Sequence, residues 1–407
     1  MKIRYSYFCP CPRGLETALA EELAEIAALK NPKTIHVHTQ VPGGVHFSGE
    51  LNDAYRVNLH SRIASRVLLR MAHGGYSNEN DIYDLTLEQP WEDWFGYHHT
   101  IRVDVTAVKS PLKSLEFTTL KIKDAICDRF RDQFTQRPSV DTKQPDMRIV
   151  GFLDAHNYTV YLDTSGEALF KRGWRLETGD APLRENLAAG LLRTAGWKPG
   201  VPLFDPMCGS GTILIEAAQM LAGIPPGMRR EFAFEKFAAF NEEEWQDIKN
   251  AIRMNPLPSE PSIFGSDISG DMVSMTRNNL NKAGIKFEVP LKQIEAQEIK
   301  APTEQAGILL TNPPYGERIG VRGDQSFEPD DLAREFFAAF SATLKQRFAG
   351  WSVFLFTADL GLPKLLRLKE SRKTPFFNGA LECRLFRFDM VAGFNRREAA
   401  KPKDAVE

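Results

Sequence analysis

The segment Asn312-Pro313-Pro314-Tyr315 contains groups suited to bind a planar amine. Its two prolines lack N–H donors and stiffen the turn, so the exposed acceptors are the Asn312 side-chain oxygen and the Pro313 carbonyl. These oxygens can accept both hydrogens of an exocyclic amine while the Tyr315 ring stacks on its base. The nitrogen lone pair is then localised and can attack an electrophilic methyl group in line. Such chemistry depends on positioning and electrostatics. A plain structural turn is the alternative.

A glycine-rich segment upstream has the pattern of a loop that holds a nucleotide-type cofactor. The apolar run Leu203-Phe204 leads into this segment, and a helical pattern follows over 213–222. Glycines let a backbone approach a ligand closely, and a helix N-terminus offers unpaired N–H groups. The predicted loop consists of Asp205, Pro206, Met207, Cys208, Gly209, Ser210, Gly211 and Thr212.

Asp267 ends the next predicted strand, at a position where an acidic residue commonly binds a ribose. It lies 267 − 205 = 62 residues after Asp205, far beyond the usual spacing of about 20. Residues 223–260 are rich in proline and aromatic side chains, and we interpret them as an insertion that explains the gap. Alternatively, Asp267 only caps the helix predicted over 269–281.

The order of predicted strands and helices differs between the two halves of the chain that position these segments. In the second half, apolar runs at 201–204, 262–265, 307–310 and 352–356 alternate with helical patterns, which indicates a parallel sheet covered on both faces. The first 165 or so residues mix strands and helices, which is typical of α+β units.

Composition excludes several classes of protein. The 407 residues include 51 basic and 53 acidic side chains, so the chain is not a uniformly basic nucleic-acid coat. Five scattered cysteines do not form a disulfide framework, and the Cys9-x-Cys11 spacing is too tight for a zinc knuckle, so we predict no metal. The chain has no apolar run of about 20 residues and no signal-peptide core. We therefore predict a cytoplasmic protein without a membrane partner.

The loop and the N-P-P-Y segment together resemble the class I S-adenosylmethionine-dependent methyltransferases that act on amino nitrogens. Four further segments are similar to the THUMP-containing bacterial RNA methyltransferases, and in particular to the 23S rRNA guanine-N2-methyltransferase module. They are 11–16 (CPRGLE), 43–47 (GGVHF), 121–126 (KIKDAI) and 171–175 (KRGWR).

The resemblance implies a fold class and a domain order. We expect an α/β protein with a Rossmann-like methyltransferase domain, built on a mostly parallel seven-stranded sheet, preceded by α+β ferredoxin-like and THUMP domains. The expected boundaries are a ferredoxin-like part at 1–50, a THUMP domain at 51–165, a linker at 166–185, a methyltransferase domain at 186–395 with the insertion 223–260, and a disordered tail at 396–407.

The resemblance also implies site roles. S-adenosylmethionine would be held by the loop at its methionine part, by Asp267 at the ribose and by Ile268 at the adenine. Gln293 would face the adenine amine, where the family usually has an aspartate. Leu183 and Arg184 fall where the family closes the cofactor site. Residues 312–315 would receive a guanine of RNA, from 23S rRNA or a large-subunit precursor.

Basic side chains are the candidates for phosphate contacts. A helix is predicted over 51–66. Arg62, Arg66 and Arg70 are spaced by four, so one helix that contained all three would present them as a stripe. The predicted RNA-contacting residues are Arg62, Arg66, Lys121, Lys123, Lys171, Arg172 and Arg175. A solvated face, with some arginines buried against a neighbouring domain, is the alternative.

Other functions stay open at this point. A DNA adenine-N6-methyltransferase uses the same N-P-P-Y chemistry. A non-catalytic RNA-binding or ribosome assembly factor would keep the fold, although the intact Asp205, Asp267 and Asn312 argue against it. A nicotinamide oxidoreductase is disfavoured because the loop lacks the full G-x-G-x-x-G pattern.

Overall fold

The computed structural model describes residues 3–175, 183–314 and 329–391. The chain forms two compact units. The first unit comprises Met1–Gly190 and Gln219–Pro256, and the second comprises Leu191–Ala218 and Leu257–Glu407. Each unit is built around its own sheet, with eight strands in the first and seven in the second. The tail predicted at 396–407 lies outside the described residues.

The first unit mixes antiparallel and parallel strands with helices, as its sequence pattern predicts. Its elements are β1 (Tyr5–Pro10), α1 (Glu16–Ala27), β2 (His36–Val41), β3 (Gly44–Gly49), α2 (Leu51–His60), β4 (Leu68–Gly75), α3 (Glu79–Leu87), β5 (Thr100–Ala107), α4 (Leu115–Phe134), β6 (Ser139–Val140), β7 (Met147–Leu153) and β8 (Asn157–Asp163). The sheet order is β2-β3-β1-β4-β8-β7-β5-β6. Every second residue of β7 is buried, as expected where one face of a strand covers a core.

The helix predicted over 51–66 begins at Leu51 as expected but is six residues shorter, and the predicted arginine stripe is wrong. Helix α2 ends at His60, and Arg70 lies in strand β4. Strand β4 pairs along its length with β8 and also with β1. These long-range backbone hydrogen bonds override the helical spacing of the three arginines, since local propensity is a weak constraint against sheet pairing.

The second sheet is mostly parallel. The remaining elements in chain order are α5 (Glu185–Thr194), β9 (Leu203–Asp205), α6 (Thr212–Ala222), α7 (Glu242–Asn250), β10 (Ile263–Asp267), α8 (Gly270–Lys282), β11 (Leu291–Gln293), β12 (Ile308–Thr311), α9 (Pro329–Arg347), β13 (Ser352–Thr357), α10 (Leu362–Leu366), β14 (Arg372–Asn378) and β15 (Leu381–Asp389). The sheet order is β11-β10-β9-β12-β13-β15-β14, and β15 runs antiparallel to both of its neighbours. The predicted fold class is confirmed.

Strand β12, which carries the N-P-P-Y segment at its end, is buried at all four residues. One side chain of this strand, Leu309, belongs to a core that also contains Phe340 of α9, Phe348 just after that helix, and Val353 of β13. Side chains packed to this extent hold few alternative rotamers. The strand is therefore a rigid support for the residues that follow it.

Residues 219–256 pack within the first unit through aromatic side chains. Tyr55 of α2 stacks on Phe234 with ring centroids 4.2 Å apart, and the Trp245 ring meets Phe234 edge-on at 5.2 Å. The two ends of the segment meet, because the Asn255 N–H donates to the Ala222 carbonyl at 3.0 Å. Residues 219–256 thus form an excursion: a segment that leaves the second unit, packs its aromatic side chains into the core of the first unit, and returns next to its starting point.

Candidate active site

The candidate site lies at the carboxyl edge of the parallel sheet. Strands β9, β10 and β12 are neighbours, and Asp205, Asp267 and Thr311 are the last residue of each. Strand order reverses at β9, which pairs with β10 on one side and β12 on the other. Open α/β sheets bind ligands at such a reversal, outside the carboxyl ends of the strands. The fold therefore brings the two predicted motifs to one edge.

Two glycines in left-handed conformations shape the loop after β9. Gly209 has φ +52° and Gly211 has φ +83°. A Cβ atom on Gly211 would lie 2.6 Å from Cγ2 of Thr276, so only glycine fits there without a shift of α8. A Cβ atom on Gly209 would meet no described atom within 4 Å. The backbone of Gly209 therefore faces open space, as a loop that approaches a ligand requires.

Helix α8 holds this loop through two polar side chains that the sequence analysis did not single out. The Thr276 hydroxyl donates to the Gly209 carbonyl at 2.7 Å, and the Asn279 amide donates to the Ser210 carbonyl at 3.0 Å. Their spacing of three residues places them on one helix face. That spacing on the helix after Asp267 is the signal that could have identified them.

Asp267 is fixed by backbone donors. One carboxylate oxygen accepts the Gly209 N–H at 2.9 Å and the other accepts the Ser269 N–H at 3.0 Å. The side chain is partly exposed, and each oxygen keeps a further lone pair for a ligand hydroxyl. The adjacent Ile268 is 47% exposed, which presents an apolar surface beside the carboxylate.

Asp205 is buried, with 2% of its surface exposed. Burial, with the negative charge of Asp267 adding to it, raises the pKa of Asp205 to about 7. The Met207 N–H donates to this carboxyl group at 3.2 Å. Asp205 therefore stabilises the start of the loop through this hydrogen bond.

Asn312 presents an acceptor that the described residues leave unused. Its side-chain oxygen Oδ1 is buried and has no hydrogen-bond partner among residues 3–175, 183–314 and 329–391. Pro313 beside it is buried and Pro314 is half-buried. A buried polar group without a partner costs about 1–3 kcal/mol and calls for an explanation, such as a ligand group. Tyr315 lies outside the described residues.

The other predicted cofactor residues fall in two places. Gln293 is exposed at the end of β11, where its Nε2 donates to the Ile268 carbonyl at 3.2 Å. Leu183 and Arg184 belong to the first unit, where Leu183 is buried and the Arg184 guanidinium lies 5.0 Å from the Phe170 ring centroid. Their role toward a cofactor stays a prediction.

Four of the predicted RNA-contacting arginines are engaged inside the first unit. Arg62 donates to the Ile224 carbonyl, Arg66 pairs with the buried Asp163, and Arg175 pairs with Glu185 at 2.9 Å. Arg172 is 3% exposed and donates to the carbonyl of Arg62 at 2.6 Å. Because these guanidinium groups hold loops together, we exclude the four from the proposed RNA-contacting set.

The three predicted lysines are more accessible. Lys171 is exposed and pairs with the equally exposed Glu167 at 2.6 Å. Lys121 donates to the Asn80 side chain at 3.2 Å, and Lys123 pairs with Asp124 at 2.5 Å. Surface pairs of this kind contribute little to stability, so phosphates can displace the partners.

Two further features concern metals and membranes. The part of the chain that the structure describes contains no group of three or more His, Cys, Asp or Glu side chains that could bind a metal ion. Within the same part, no helix has the length and apolar character that crossing a bilayer requires.

Three family models match successive parts of the chain. They are an RlmL ferredoxin-like domain at 6–68, a THUMP domain at 76–163 and an RMKL-like methyltransferase domain at 172–387. The last match covers more than half of the chain and includes the glycine loop, Asp267 and Asn312. The chain belongs to the RMKL-like methyltransferase family. The resemblance drawn from its motifs is thereby confirmed.

Relatives agree with this family membership. The chain is 39% identical over 384 residues to a ribosomal RNA large subunit methyltransferase K/L of Psychromonas ingrahamii, covering 93% of this chain and 49% of that protein. It spans about half the length of the curated relatives it matches.

Solved structures share the fold along nearly the whole chain. The crystal structure of SMU.472, a methyltransferase complexed with SAH, superposes with a TM-score of 0.81 at 28% identity, covering 96% of this chain and 99% of that one. A protein of Listeria monocytogenes, described as a predicted N6-adenine-specific DNA methylase, superposes with a TM-score of 0.81 at 26% identity, covering 95% and 96%.

Proposed function

We propose that this chain transfers a methyl group from S-adenosylmethionine to the exocyclic N2 amine of a guanosine in RNA, with 23S rRNA as the substrate. The observation that carries the proposal is the buried Oδ1 of Asn312 at the carboxyl edge of the sheet, which has no hydrogen-bond partner among the described residues. An amine hydrogen is the group that would satisfy it. The glycine loop at the same edge supports a methyl donor nearby.

The residues of the loop suit S-adenosylmethionine. The open space at Gly209 leaves room for the methionine part along residues 205–212, and the pinned carboxylate of Asp267 suits the ribose hydroxyls. Ile268 would pack on the adenine, and Gln293 could accept from its amine. When bound, this cofactor supplies an electrophilic methyl group on a sulfonium. The SAH bound to SMU.472 supports this choice of cofactor.

Asn312 and Pro313 would orient the target amine. The Asn312 oxygen and the Pro313 carbonyl accept one hydrogen each, which localises the nitrogen lone pair and directs it away from the two acceptors. The rigid support of β12 fixes both acceptors before the substrate arrives, so little reorganisation is required during reaction. Tyr315 would stack on the base. The target base must leave its stack to reach this edge, at a cost of a few kcal/mol.

Two comparisons favour RNA as the substrate. The THUMP model matches residues 76–163, and the Psychromonas relative is named a ribosomal RNA large subunit methyltransferase. The rival is adenine-N6 methylation of DNA, which the name of the Listeria neighbour favours. Asn312 and Pro313 would accept from either amine, so the site chemistry alone does not separate the two substrates.

One experiment separates these functions. The purified chain is incubated with labelled S-adenosylmethionine and either protein-free 23S rRNA or duplex DNA, and the nucleosides are identified by mass spectrometry. We expect N2-methylguanosine from the RNA and no product from the DNA. N6-methyladenine in DNA would support the rival. Absence of any product, with the cofactor bound, would support a non-catalytic RNA-binding role.

A further inference from the structure

The second unit carries a run of cations that none of the roles above uses. Residues 364–373 read K-L-L-R-L-K-E-S-R-K, with five basic residues and one acidic residue. The whole chain, in contrast, has a net charge of −2. This basic strip comprises Lys364, Arg367, Lys369, Arg372 and Lys373, on α10, on the loop after it and on the first residues of β14.

All five side chains of the basic strip are exposed. None of them forms an ion pair with any carboxylate of residues 3–175, 183–314 and 329–391. The arginines of the adjacent strand β15 differ, because Arg384 pairs with Glu382 and Arg387 pairs with Asp389 at 2.9 Å. The strip therefore presents cations that are not neutralised locally.

The basic strip begins beside the candidate active site. Strand β13 is the parallel neighbour of β12, with Thr311 level with Leu355, so both strands end at the same edge. Helix α10 begins five residues after Thr357 ends β13, and Lys364 lies in its first turn. Lys373, at the other end of the strip, lies on the outermost strand. Through the pairing of β14 with β15 and of β15 with β13, Lys373 is level with Leu355 and hence with Thr311. Both ends of the strip therefore lie near the level at which β12 ends.

Protection of the sheet edge explains only part of the strip. Charged residues and proline on an outermost strand prevent pairing with other chains, and Arg372, Lys373 and Pro375 fit that role. Lys364, Arg367 and Lys369 are not on the edge strand, so this role does not require them.

We propose that the basic strip binds the phosphate backbone of the RNA strand that carries the target nucleotide. The inference rests on the proposed function, because it takes RNA as the substrate. Unneutralised cations in series suit a polyanion, and phosphate contacts position a strand without reading its bases. Contacts next to the reactive edge hold the backbone that flanks a flipped-out base. The second unit therefore contributes its own RNA contacts, separate from those of the lysines in the first unit.

The test compares two variants of the full chain that lose equal charge. The strip variant is K364Q/R367Q/K369Q. The control variant is K198Q/K286Q/K345Q, which alters three exposed lysines outside the strip, on the segments that precede β9, β11 and β13. Binding of a fluorescein-labelled RNA hairpin is measured by anisotropy between about 50 and 200 mM KCl. Calorimetry with S-adenosylmethionine checks that both variants keep the folded site.

We expect the strip variant to bind RNA about tenfold more weakly near 100 mM KCl, and its slope of log affinity against log salt to shrink by about 2. The control variant should stay within about twofold of the wild-type chain. Equal losses in both variants, or wild-type binding by the strip variant, would overturn the proposal. Unchanged RNA affinity with lost binding to polyglutamate would assign the strip to an acidic protein partner and overturn it too.

A methylation assay separates failure of the strip from failure of the proposed function. With protein-free 23S rRNA, the strip variant should lose kcat/KM about tenfold while kcat at saturating RNA stays near wild type. If the wild-type chain binds RNA through the strip yet makes no N2-methylguanosine, the proposed function is refuted, whereas the proposed RNA-binding role of the strip is supported. If the strip variant methylates dilute RNA at the wild-type rate, the proposed RNA-binding role of the strip is refuted, whereas the proposed function is supported.

Discussion

Asn312 is half-buried, but its acceptor atom Oδ1 is fully buried, and leaving such an atom unpaired is costly for a side chain that only stabilises a turn. Its Oδ1 atom has no partner among the described residues, while Pro313 and Pro314 remove the N–H groups that could have supplied one. The site therefore holds its acceptor ready for a donor that the described part of the chain does not supply. At this scale the proposed chemistry depends on one atom.

Replacing Asn312 by alanine should abolish turnover without unfolding the protein. We expect methyl transfer to fall by a factor of about 10²–10³ because a positioned acceptor is lost. The melting temperature should stay constant or rise, because the substitution removes an unsatisfied buried group. Turnover with rRNA and thermal melting check both points, with the exposed Asn281 on α8 changed to alanine as control. Turnover within tenfold of wild type would contradict the assignment.

Asp205 should make stability depend on pH. Its pKa of about 7 in the folded protein exceeds the ordinary value of about 3.9 in the unfolded chain. Between about pH 4 and 7 the folded state binds more protons, so the free energy of unfolding falls as pH rises, by at most about 4 kcal/mol from this residue.

Asp205→Asn removes this dependence because the amide does not titrate. The melting temperature of the variant relative to wild type should therefore be higher at about pH 8 than at about pH 5, measured without cofactor. The exposed Asp271 of α8, changed to asparagine, is the control and should show no such trend. The same trend in both variants would exclude Asp205 as the cause.

At the scale of elements, the glycine loop and helix α8 form one assembly. Thr276 and Asn279 donate to loop carbonyls, and the close approach of Gly211 to Thr276 leaves no space for a side chain. The loop is therefore shaped by a helix that follows it by some 60 residues in sequence. Its geometry depends on the pairing of β9 with β10, which brings α8 into place.

Alanine substitutions at Gly209 and Gly211 should distinguish the effect of a steric clash on stability from the effect of a lost ligand contact on cofactor binding. Gly211→Ala should lower the melting temperature more than Gly209→Ala, because only the former adds a contact of 2.6 Å with Thr276 to the cost of the left-handed backbone. Both should weaken cofactor binding in calorimetry. Adding Thr276→Ala to Gly211→Ala should recover part of the lost stability, since the closest two atoms disappear. Equal destabilisation by the two glycine variants would contradict this account.

At the scale of the whole molecule, the chain crosses between its two units more than once. Residues 219–256 return to the first unit and place Phe234 and Trp245 on Tyr55. The N-terminal domains and this excursion therefore share one core. Removal of either leaves apolar side chains of the other in water.

Two truncations test this shared core. Deletion of residues 1–165 alone should give an aggregating protein, because Phe232, Phe234 and Trp245 lose their cover. The same deletion with 224–254 replaced by a short glycine linker should be monomeric and bind S-adenosylmethionine, since Ala222 and Asn255 already meet. It should not methylate rRNA. Light scattering, calorimetry and the methylation assay measure these outcomes, and full activity of the second truncation would refute a role of residues 1–165 in binding the RNA.

The amino-acid sequence by itself determined which residues meet at the candidate active site. Apolar runs alternating with helices imply a parallel sheet, and parallel strands that end in Asp205, Asp267 and Thr311 must bring those ends together. The glycines and prolines act locally, because glycine widens and proline restricts the backbone conformations allowed at its own position. Local information was therefore sufficient for the loop, for the acceptor at Asn312 and for the family resemblance.

Only the tertiary structure decided which partner each segment takes. The arginines at 62, 66 and 70 have helical spacing, yet pairing of β4 with β8 draws Arg70 into a strand and leaves Arg66 on the buried Asp163. The aromatic residues of 219–256 mark an apolar segment without indicating which core it joins. The spacing of residues along a chain indicates only the periodicity of an element. The hydrogen-bond and packing partners of that element are residues far away in sequence, and burial in the folded protein determines which ones they are. For this reason, the core that residues 219–256 join and the partners of the three arginines could be identified only in the folded structure.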